Sequence, residues 1–318
     1  MKATVISRAG GPEVLELRER PAPRPGPGEI LVDVRAAGVN FFDVGIRRGR
    51  LAEVPGMEGA GEVVETGEGV REFAPGDRVA WLTVDTHGSY AQQVVLPVDR
   101  VVAVPDALDE ETAAAVLLQG LTAHHHCTVC HPVRPGDLTL VHAAAGGVGL
   151  LLTQMIKARG GIVIGLVSRP EKVEVARAAG ADHVLVSTGD AFVDRVRELT
   201  GGEGVHAVFD GAGGPTFSAS LEVLRPHGTM VFYGPLIGDV PTIAVNEIPR
   251  SIRLTYGTLP DHISTREELT AHATELFAMV EKGELAVRIG DRYPLAEAAR
   301  AHTDIESRRT TGKLLLIP

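Results

Sequence analysis

Residues 138–160 read LTLVHAAAGGVGLLLTQMIKARG: an apolar strand-like run, a turn carrying Gly146, Gly147 and Gly149, and a helical stretch. A glycine-rich turn between strand and helix is the setting in which a dinucleotide's phosphates are held. The pattern HAAAGGVG (142–149) is one step off G-x-G-x-x-G, with Ala144 in the first glycine position, then Gly146 and Gly149. Gly146 and Gly147 let the backbone approach a pyrophosphate, whose charge then meets the amide groups and positive dipole end of a helix expected to begin at Val148. An ordinary tight turn would use glycine too. The strand before it, the helix after it and a second strand at the right distance favour dinucleotide binding.

That second strand, IVIGLVS (162–168), says which dinucleotide. Folds that bind NAD usually place an acidic residue about 20 positions on, against the ribose 2′-hydroxyl. Here the strand runs out into Val167, Ser168, Arg169, Pro170, Glu171 and Lys172, with no carboxylate at its tip. Ser168, Arg169 and Lys172 offer a hydroxyl and two cations to a 2′-phosphate, so NADPH is the expected cofactor. The alternative is that Arg169 and Lys172 are solvated charges opening the next helix, although basic residues there work against the helix dipole.

Outward from this centre the chain alternates strand and helix from about residue 118. The helix PEKVEVARAAG (170–180) is followed by HVLVS (183–187), FVDRVRELTG (192–201) and HAVFDGAG (206–213). Such alternation predicts a doubly wound parallel sheet, an α/β Rossmann domain over 118–263. Before about residue 117 the texture differs. Turn signals at 20–29, 66–77 and 85–89 separate short β-rich runs at 30–39, 61–67, 78–82 and 90–97, which suggests a barrel-like or partly closed β unit. After 264 come two helical patterns, REELTAHATELFAMVEKG and LAEAARAHTDIESRR, and a last apolar strand, KLLLIP.

Composition narrows the partners. The 318 residues are 44% hydrophobic but only 4% aromatic, so the cores must be built mostly from Val, Leu, Ile and Ala. A formal charge of −10 without any Lys/Arg run argues against nucleic acid or an anionic membrane as partner. No signal-peptide pattern opens the sequence, and no apolar run approaches the ~18 residues a bilayer span needs. Two cysteines give no disulfide framework. A cytoplasmic protein is expected.

Several stretches together resemble one family: GGPEVLEL, GVNFFD (38–43), PGMEGAGEVVETGEGV (55–70), GDRVAW, QGLTA (119–123), HAAAGGVG, ARAAGADHV (176–184), LTGGEGVHAVFDGAG (199–213) and the ending RRTTGKLLLIP. They are similar to the NADPH:quinone oxidoreductases, the zeta-crystallin-like, zinc-free branch of the medium-chain dehydrogenase/reductase superfamily. The resemblance covers nearly the whole chain. It implies a GroES-like catalytic domain from 1–117 completed by 264–318, a central Rossmann domain, and a homodimer. It also implies cofactor contacts at Asn40, Phe41, Thr122, Gly211, Phe232, Tyr233, Gly234 and Arg308. Asn40 is the candidate catalytic residue, able to hydrogen-bond an acceptor oxygen or the ribose, or else only to fix its own loop.

Zinc members of the superfamily carry a cysteine ligand where this chain has Asn40 and a histidine ligand where it has Met57. An amide and a thioether would not hold zinc at useful affinity. A zinc-free site is therefore expected, with acceptors already polarised by conjugation. The segment AHHHCTVCH (123–131) holds both cysteines and four of the twelve histidines. On a regular helix His124, Cys127 and His131 would share one face. A single C-x-x-C is nevertheless a weak zinc signal, and free cysteines are commonly small buried hydrophobes, so no metal is expected here. His125 stands where relatives often have a tyrosine beside the cofactor; it approaches the cofactor or serves packing alone.

Two departures from the family bear on the substrate. Gly45 and Leu51 stand where relatives usually carry cleft tyrosines, beside Phe41, Phe42 and the pair Arg47-Arg48, which implies a wider cleft for bulkier quinones or enones. Ser187 stands where relatives often have a tyrosine near the adenosine phosphate. Three functions are compatible: quinone reduction with NADPH, reduction of an activated carbon–carbon double bond in an enone or enoyl thioester, and NADPH binding without turnover.

Overall fold

The computed structural model describes residues 1–49, 52–83, 88–234, 242–249 and 251–318. The chain forms two compact units, one from Met1–Leu121 and Pro260–Pro318, the other from Thr122–Leu259. The first boundary falls inside the helix Glu110–His125, four residues later than the turn signals suggest. Among the described residues no helix is long and apolar enough to cross a membrane.

In the central unit six strands pair in the order His183–Val186, Ile162–Val167, Leu138–Val141, Val205–Asp210, Leu224–Phe232, Arg253–Tyr256, and every pairing is parallel. Numbered along the unit this is 3-2-1-4-5-6, the doubly wound order whose direction switches between the first and fourth strands. Parallel strands covered on both faces need apolar residues throughout, and LTLV and IVIGLV supply them. Leu140, Ile164, Val208 and Met230 are fully buried in the resulting core. The helix Gly147–Ala158 adds Leu150, Leu151, Leu152, Met155 and Ile156 to the interior.

The first strand is shorter than its apolar run suggests. It ends at Val141 because Ala143 takes a positive φ of 49° and the Gly146 amide donates to the Ala143 carbonyl at 2.7 Å, closing a turn. The helix accordingly begins at Gly147, one residue before the expected Val148, with Gly146 extended as its cap.

The other unit is a seven-stranded sheet organised by the eleven-residue strand Glu29–Val39. Its first half pairs antiparallel with Gln93–Pro97, its last residues with Lys313–Ile317, and its other edge with Glu58–Thr66. Strands from residues 29–103 and the last strand of the chain therefore belong to one sheet, while Lys2–Ile6 and Leu15–Glu19 pair separately. Leu314 faces Val39 in that register, and Lys313 lies next to it at the strand's start. The helix Arg266–Glu281 starts on a reciprocal cap: Thr265 Oγ1 accepts from the Glu268 amide and Glu268 Oε2 accepts from the Thr265 amide.

A polar chain crosses this unit's interior. Arg47, expected near the substrate cleft, is instead wholly buried: Nε donates to the Gly10 carbonyl, Nη1 lies 3.1 Å from His302 Nδ1, and Nη2 pairs with Glu306 at 3.0 Å. His302 Nε2 lies 3.1 Å from the Tyr90 hydroxyl, which donates to Asp43 Oδ2. Burial, opposed by the Asn40 amide and the Lys313 charge, raises the Asp43 carboxyl to about 7. Burial, then the Arg47 charge, lowers His302 to about 3.

These two groups act in opposite senses. As pH rises from about 4 to about 7 the unfolded chain releases the Asp43 proton while the folded chain keeps it, so this stabilisation is lost with rising pH. Neutral His302 stabilises above its unfolded value and loses that contribution as pH falls towards 3. Asp43→Asn has no proton to release at this position, so its melting temperature relative to the unsubstituted protein should climb between pH 4 and pH 7. Parallel melting curves for the two proteins across that range would contradict the assignment.

Candidate functional site

In the sheet built from both chain ends, strand Glu29–Val39 delivers Asn40 to the start of the helix Phe41–Gly49. The loop is held locally: the Asn40 amide donates to Asp43 Oδ2 at 2.8 Å and the Asp43 amide to the Asn40 carbonyl at 3.1 Å. The Asn40 side chain is used at both ends. Nδ2 donates to Glu58 Oε1 at 2.7 Å, and Oδ1 accepts from Lys313 Nζ at 2.7 Å. Lys313 closes the triangle with an ion pair to Glu58 Oε1, and the Leu118 amide donates to Glu58 Oε2 at 2.9 Å. Glu58 and Lys313 are both buried. Glycine at 38 is required, since a Cβ there would lie 2.5 Å from Glu58 Oε1.

Of the other sequence candidates in this unit, Phe41 is half-buried, while Phe42 and Gly45 are exposed. They stand three apart on one helix, and a Cβ at Gly45 would meet nothing within 4 Å. Arg308 is exposed, with a left-handed φ of 58°. Leu51 lies outside the described residues.

In the central unit the parallel strands bring their C-terminal ends to one edge, where open α/β sheets bind ligands. Gly146, Gly147, Val148 and Gly149 follow the first strand, Ser168, Arg169 and Lys172 the second, Ser187 the third, Gly211 the fourth, and Tyr233 and Gly234 follow Phe232 at the end of the fifth. A Cβ at Gly149 would lie 2.3 Å from the Ala143 carbonyl oxygen, so this glycine permits close helix–turn packing. A Cβ at Gly211 would lie 2.5 Å from the Tyr233 ring. The Ser187 amide donates to the Val167 carbonyl at 3.0 Å, which sets Ser187 beside the second strand's tip. Its buried Oγ has no hydrogen-bond partner among the described residues. Arg169 is exposed, and Ser168 and Lys172 are half-buried. An N-terminal helix end, a glycine cradle, two cations and an unsatisfied hydroxyl along one edge fit a phosphorylated dinucleotide.

Sequence reasoning missed a buried group at the switch point. His142 Nε2 lies 2.9 Å from Ser220 Oγ, which donates to Asp210 Oδ2 at 2.8 Å; Thr216 Oγ1 donates to the same oxygen. His142 and Asp210 stand at the ends of the first and fourth strands, so this network fixes the two strand ends that flank the switch. HAAAGG and FDGAG carried the signal in their first polar residues. Glu58 and Lys313 were missed as well, because nothing local marks an inward-facing charge at the start of an apolar strand.

The segment 123–131 departs from a regular helix. After His125 the helix widens into a π turn, His126–Cys130, with the His131 amide donating to the His126 carbonyl at 3.0 Å. His124, Cys127 and His131 therefore do not converge. Cys127 Sγ turns to the His124 carbonyl, and His131 lies 3.2 Å from both Thr229 Oγ1 and Asp137 Oδ2. Thr122 is half-buried and His125 buried, each at the N-terminal side of that turn.

Residues 26–106 match the alcohol dehydrogenase GroES-like domain family, and residues 147–273 match the zinc-binding dehydrogenase family. The quinone oxidoreductase of Pseudomonas aeruginosa is 42% identical over 317 residues, 97% of each chain. The chain belongs to the quinone oxidoreductases of the medium-chain dehydrogenase/reductase superfamily. This oxidoreductase is also similar to a mycobacterial protein solved with NADPH, at 42% identity, full coverage of both chains and a TM-score of 0.95. The 2-haloacrylate reductase of a Burkholderia species is 36% identical over 329 residues, 99% of this chain and 98% of its own.

The catalytic zinc that the dehydrogenase family name implies does not suit the residues here. A zinc site needs about three N, S or O ligands free to coordinate. At the matching positions this oxidoreductase has a thioether, Met57, and an amide, Asn40, whose oxygen already accepts from an ammonium. Glu58 is paired with that same ammonium. The triangle carries its own cation, Lys313. Lys313→Met would strand the buried Glu58 carboxylate and is expected to cost about 3–5 kcal/mol. Adding Glu58→Gln should recover most of that loss, as read by urea denaturation. Equal stability of Lys313→Met and the unsubstituted protein would contradict the pairing.

Proposed function

We propose that this protein is an NADPH-dependent reductase of quinones and similar conjugated carbonyl compounds, and that it works without zinc. The observation that carries this reading is the Asn40–Glu58–Lys313 triangle, in which the donors a catalytic zinc would need are committed to an internal ammonium. Without a Lewis acid, simple alcohols and carbonyls lack polarisation, whereas a quinone brings its own.

NADPH, when bound, supplies the hydride. The amides of Gly146, Gly147 and Val148, at the start of the helix Gly147–Ala158, would receive the pyrophosphate. Arg169 and Lys172 would pair with the 2′-phosphate, and the hydroxyls of Ser168 and Ser187 would hydrogen-bond it. Thr122, His125, Gly211, Phe232, Tyr233 and Gly234 would add cofactor contacts from the central unit, and Phe41 and Arg308 are cofactor-contact candidates of the other unit. Asn40 Nδ2 has two hydrogens and gives one to Glu58, so its second can be donated to the acceptor oxygen or the ribose. Lys313 and Glu58 hold that amide in one orientation, which serves catalysis by positioning rather than proton transfer. The exposed Phe42 ring beside the open Gly45 suits a broad, flat acceptor. A homodimer is part of the same reading.

A second reading is reduction of an activated carbon–carbon double bond, favoured by the similarity to the 2-haloacrylate reductase. The same residues and the same absence of a Lewis acid would serve it. The two differ in product.

Initial rates with NADPH and NADH against 1,4-benzoquinone, 9,10-phenanthrenequinone and a simple 2-enone, with products identified, separate these readings. The expected result is preference for NADPH and for quinones, with phenanthrenequinone favoured by the open cleft. Replacing Arg169 and Lys172 by alanine should raise KM for NADPH about tenfold to a hundredfold, at ~1.4 kcal/mol per factor of ten, and leave NADH nearly unaffected. Turnover of the enone alone would move the function to double-bond reduction. Equal use of the two nucleotides would overturn the 2′-phosphate assignment.

A further inference from the structure

The π turn places three potential metal ligands together that a regular helix would separate. Residues five apart diverge on an α-helix but stack on a turn closed by i→i+5 hydrogen bonds. His125 and Cys130 are such a pair, and His126 stands beside them. Cys130 Sγ lies 3.2 Å from His125 Nε2 and 3.9 Å from His126 Nδ1. One ligand atom from each of the three falls within 4.8 Å of the others. For a tetrahedral ion with metal–sulfur and metal–nitrogen bonds of ~2.3 and ~2.0–2.1 Å, the sulfur–nitrogen edge is about 3.6 Å. The two observed separations bracket that edge.

The surroundings hold this group in place. The His126 ring packs on Tyr233 with centroids 4.5 Å apart. Gly257, anchored through its amide to the Phe232 carbonyl at 2.9 Å, faces the cluster. A Cβ there would lie 2.9 Å from His126 Nδ1 and 3.1 Å from Cys130 Sγ, so glycine leaves the ligand atoms their room. The other cysteine of the C-x-x-C is not involved: Cys127 Sγ faces the His124 carbonyl.

We propose that His125, His126 and Cys130 form a binding site for one borderline-soft divalent cation of the zinc class, separate from the Asn40–Glu58–Lys313 triangle. Two imidazoles and a thiolate are the donor set such ions prefer, and three protein ligands leave a fourth position for water or another donor. Binding converts the Cys130 thiol to a metal-bound thiolate and releases its proton to solvent.

The test is a cobalt(II) titration of the full-length protein after chelator treatment, with zinc(II) as competitor. The expected result is one equivalent per chain and a thiolate-to-cobalt charge-transfer band that zinc abolishes. Zinc should also slow alkylation of Cys130, read by peptide mass spectrometry. Cys130→Ser should remove the band, His126→Asn should weaken binding at least about tenfold, and Cys127→Ser should leave both intact. Gly257→Ala keeps every ligand but crowds them, and should weaken binding in a protein whose circular dichroism is unchanged. No charge-transfer band at stoichiometric cobalt, or a band that survives Cys130→Ser, would overturn the proposal.

Discussion

A buried ion pair between Glu58 and Lys313 is the constraint on which this structure turns. Each charge would be costly to bury alone, so each fixes the position of the other. Lys313 opens the last strand of the chain and Glu58 opens the strand Glu58–Thr66, and both strands flank Glu29–Val39. The pair therefore ties the two ends of a sequence-discontinuous unit into one sheet. Gly38 has no side chain because Glu58 lies where it would go. Asn40 is locked at both ends of its amide by the same two residues.

The consequence for chemistry is electrostatic. At Asn40 and Glu58 an ammonium already satisfies the amide oxygen and the carboxylate. The local charge is balanced inside the protein, and what remains for a ligand is a donor, the second Asn40 amide hydrogen. In the function proposed above, a site that donates hydrogen bonds and aligns reactants would suit acceptors whose electron deficiency is built in. In the central unit the sheet edge carries a helix N-terminus, a glycine turn and the strand-tip cations, a set that fits a phosphorylated nucleotide.

The doubly wound sheet was legible because its determinants are local and periodic. Apolar runs at 138–141 and 162–167 and the glycines at 146, 147 and 149 each encode their own conformation, whereas the strand order 3-2-1-4-5-6 is one of several that linked βαβ units can adopt and is seen only in the structure. The turn's finer shape was less legible, since Ala143 takes a positive φ that an alanine does not ordinarily adopt. Nothing in the sequence marks Lys313, Arg47 and Asp43 as buried, because partners such as Glu58, His302 and Tyr90 lie far away in sequence. The π turn was illegible for a related reason. Regular helical spacing pairs His124 with Cys127 and His131, and one additional residue in the turn pairs His125 with Cys130 instead.

The central claim is that an internal ammonium stands in the place of a catalytic metal. Its most direct test is quinone-dependent NADPH oxidation by the unsubstituted protein and by Cys130→Ser, which lacks the other proposed metal ligand set, each treated exhaustively with chelator and with metal content measured on the same sample. The account predicts undiminished turnover at far less than one metal per chain. Activity that falls in proportion to the metal removed, and returns on adding zinc, would contradict it.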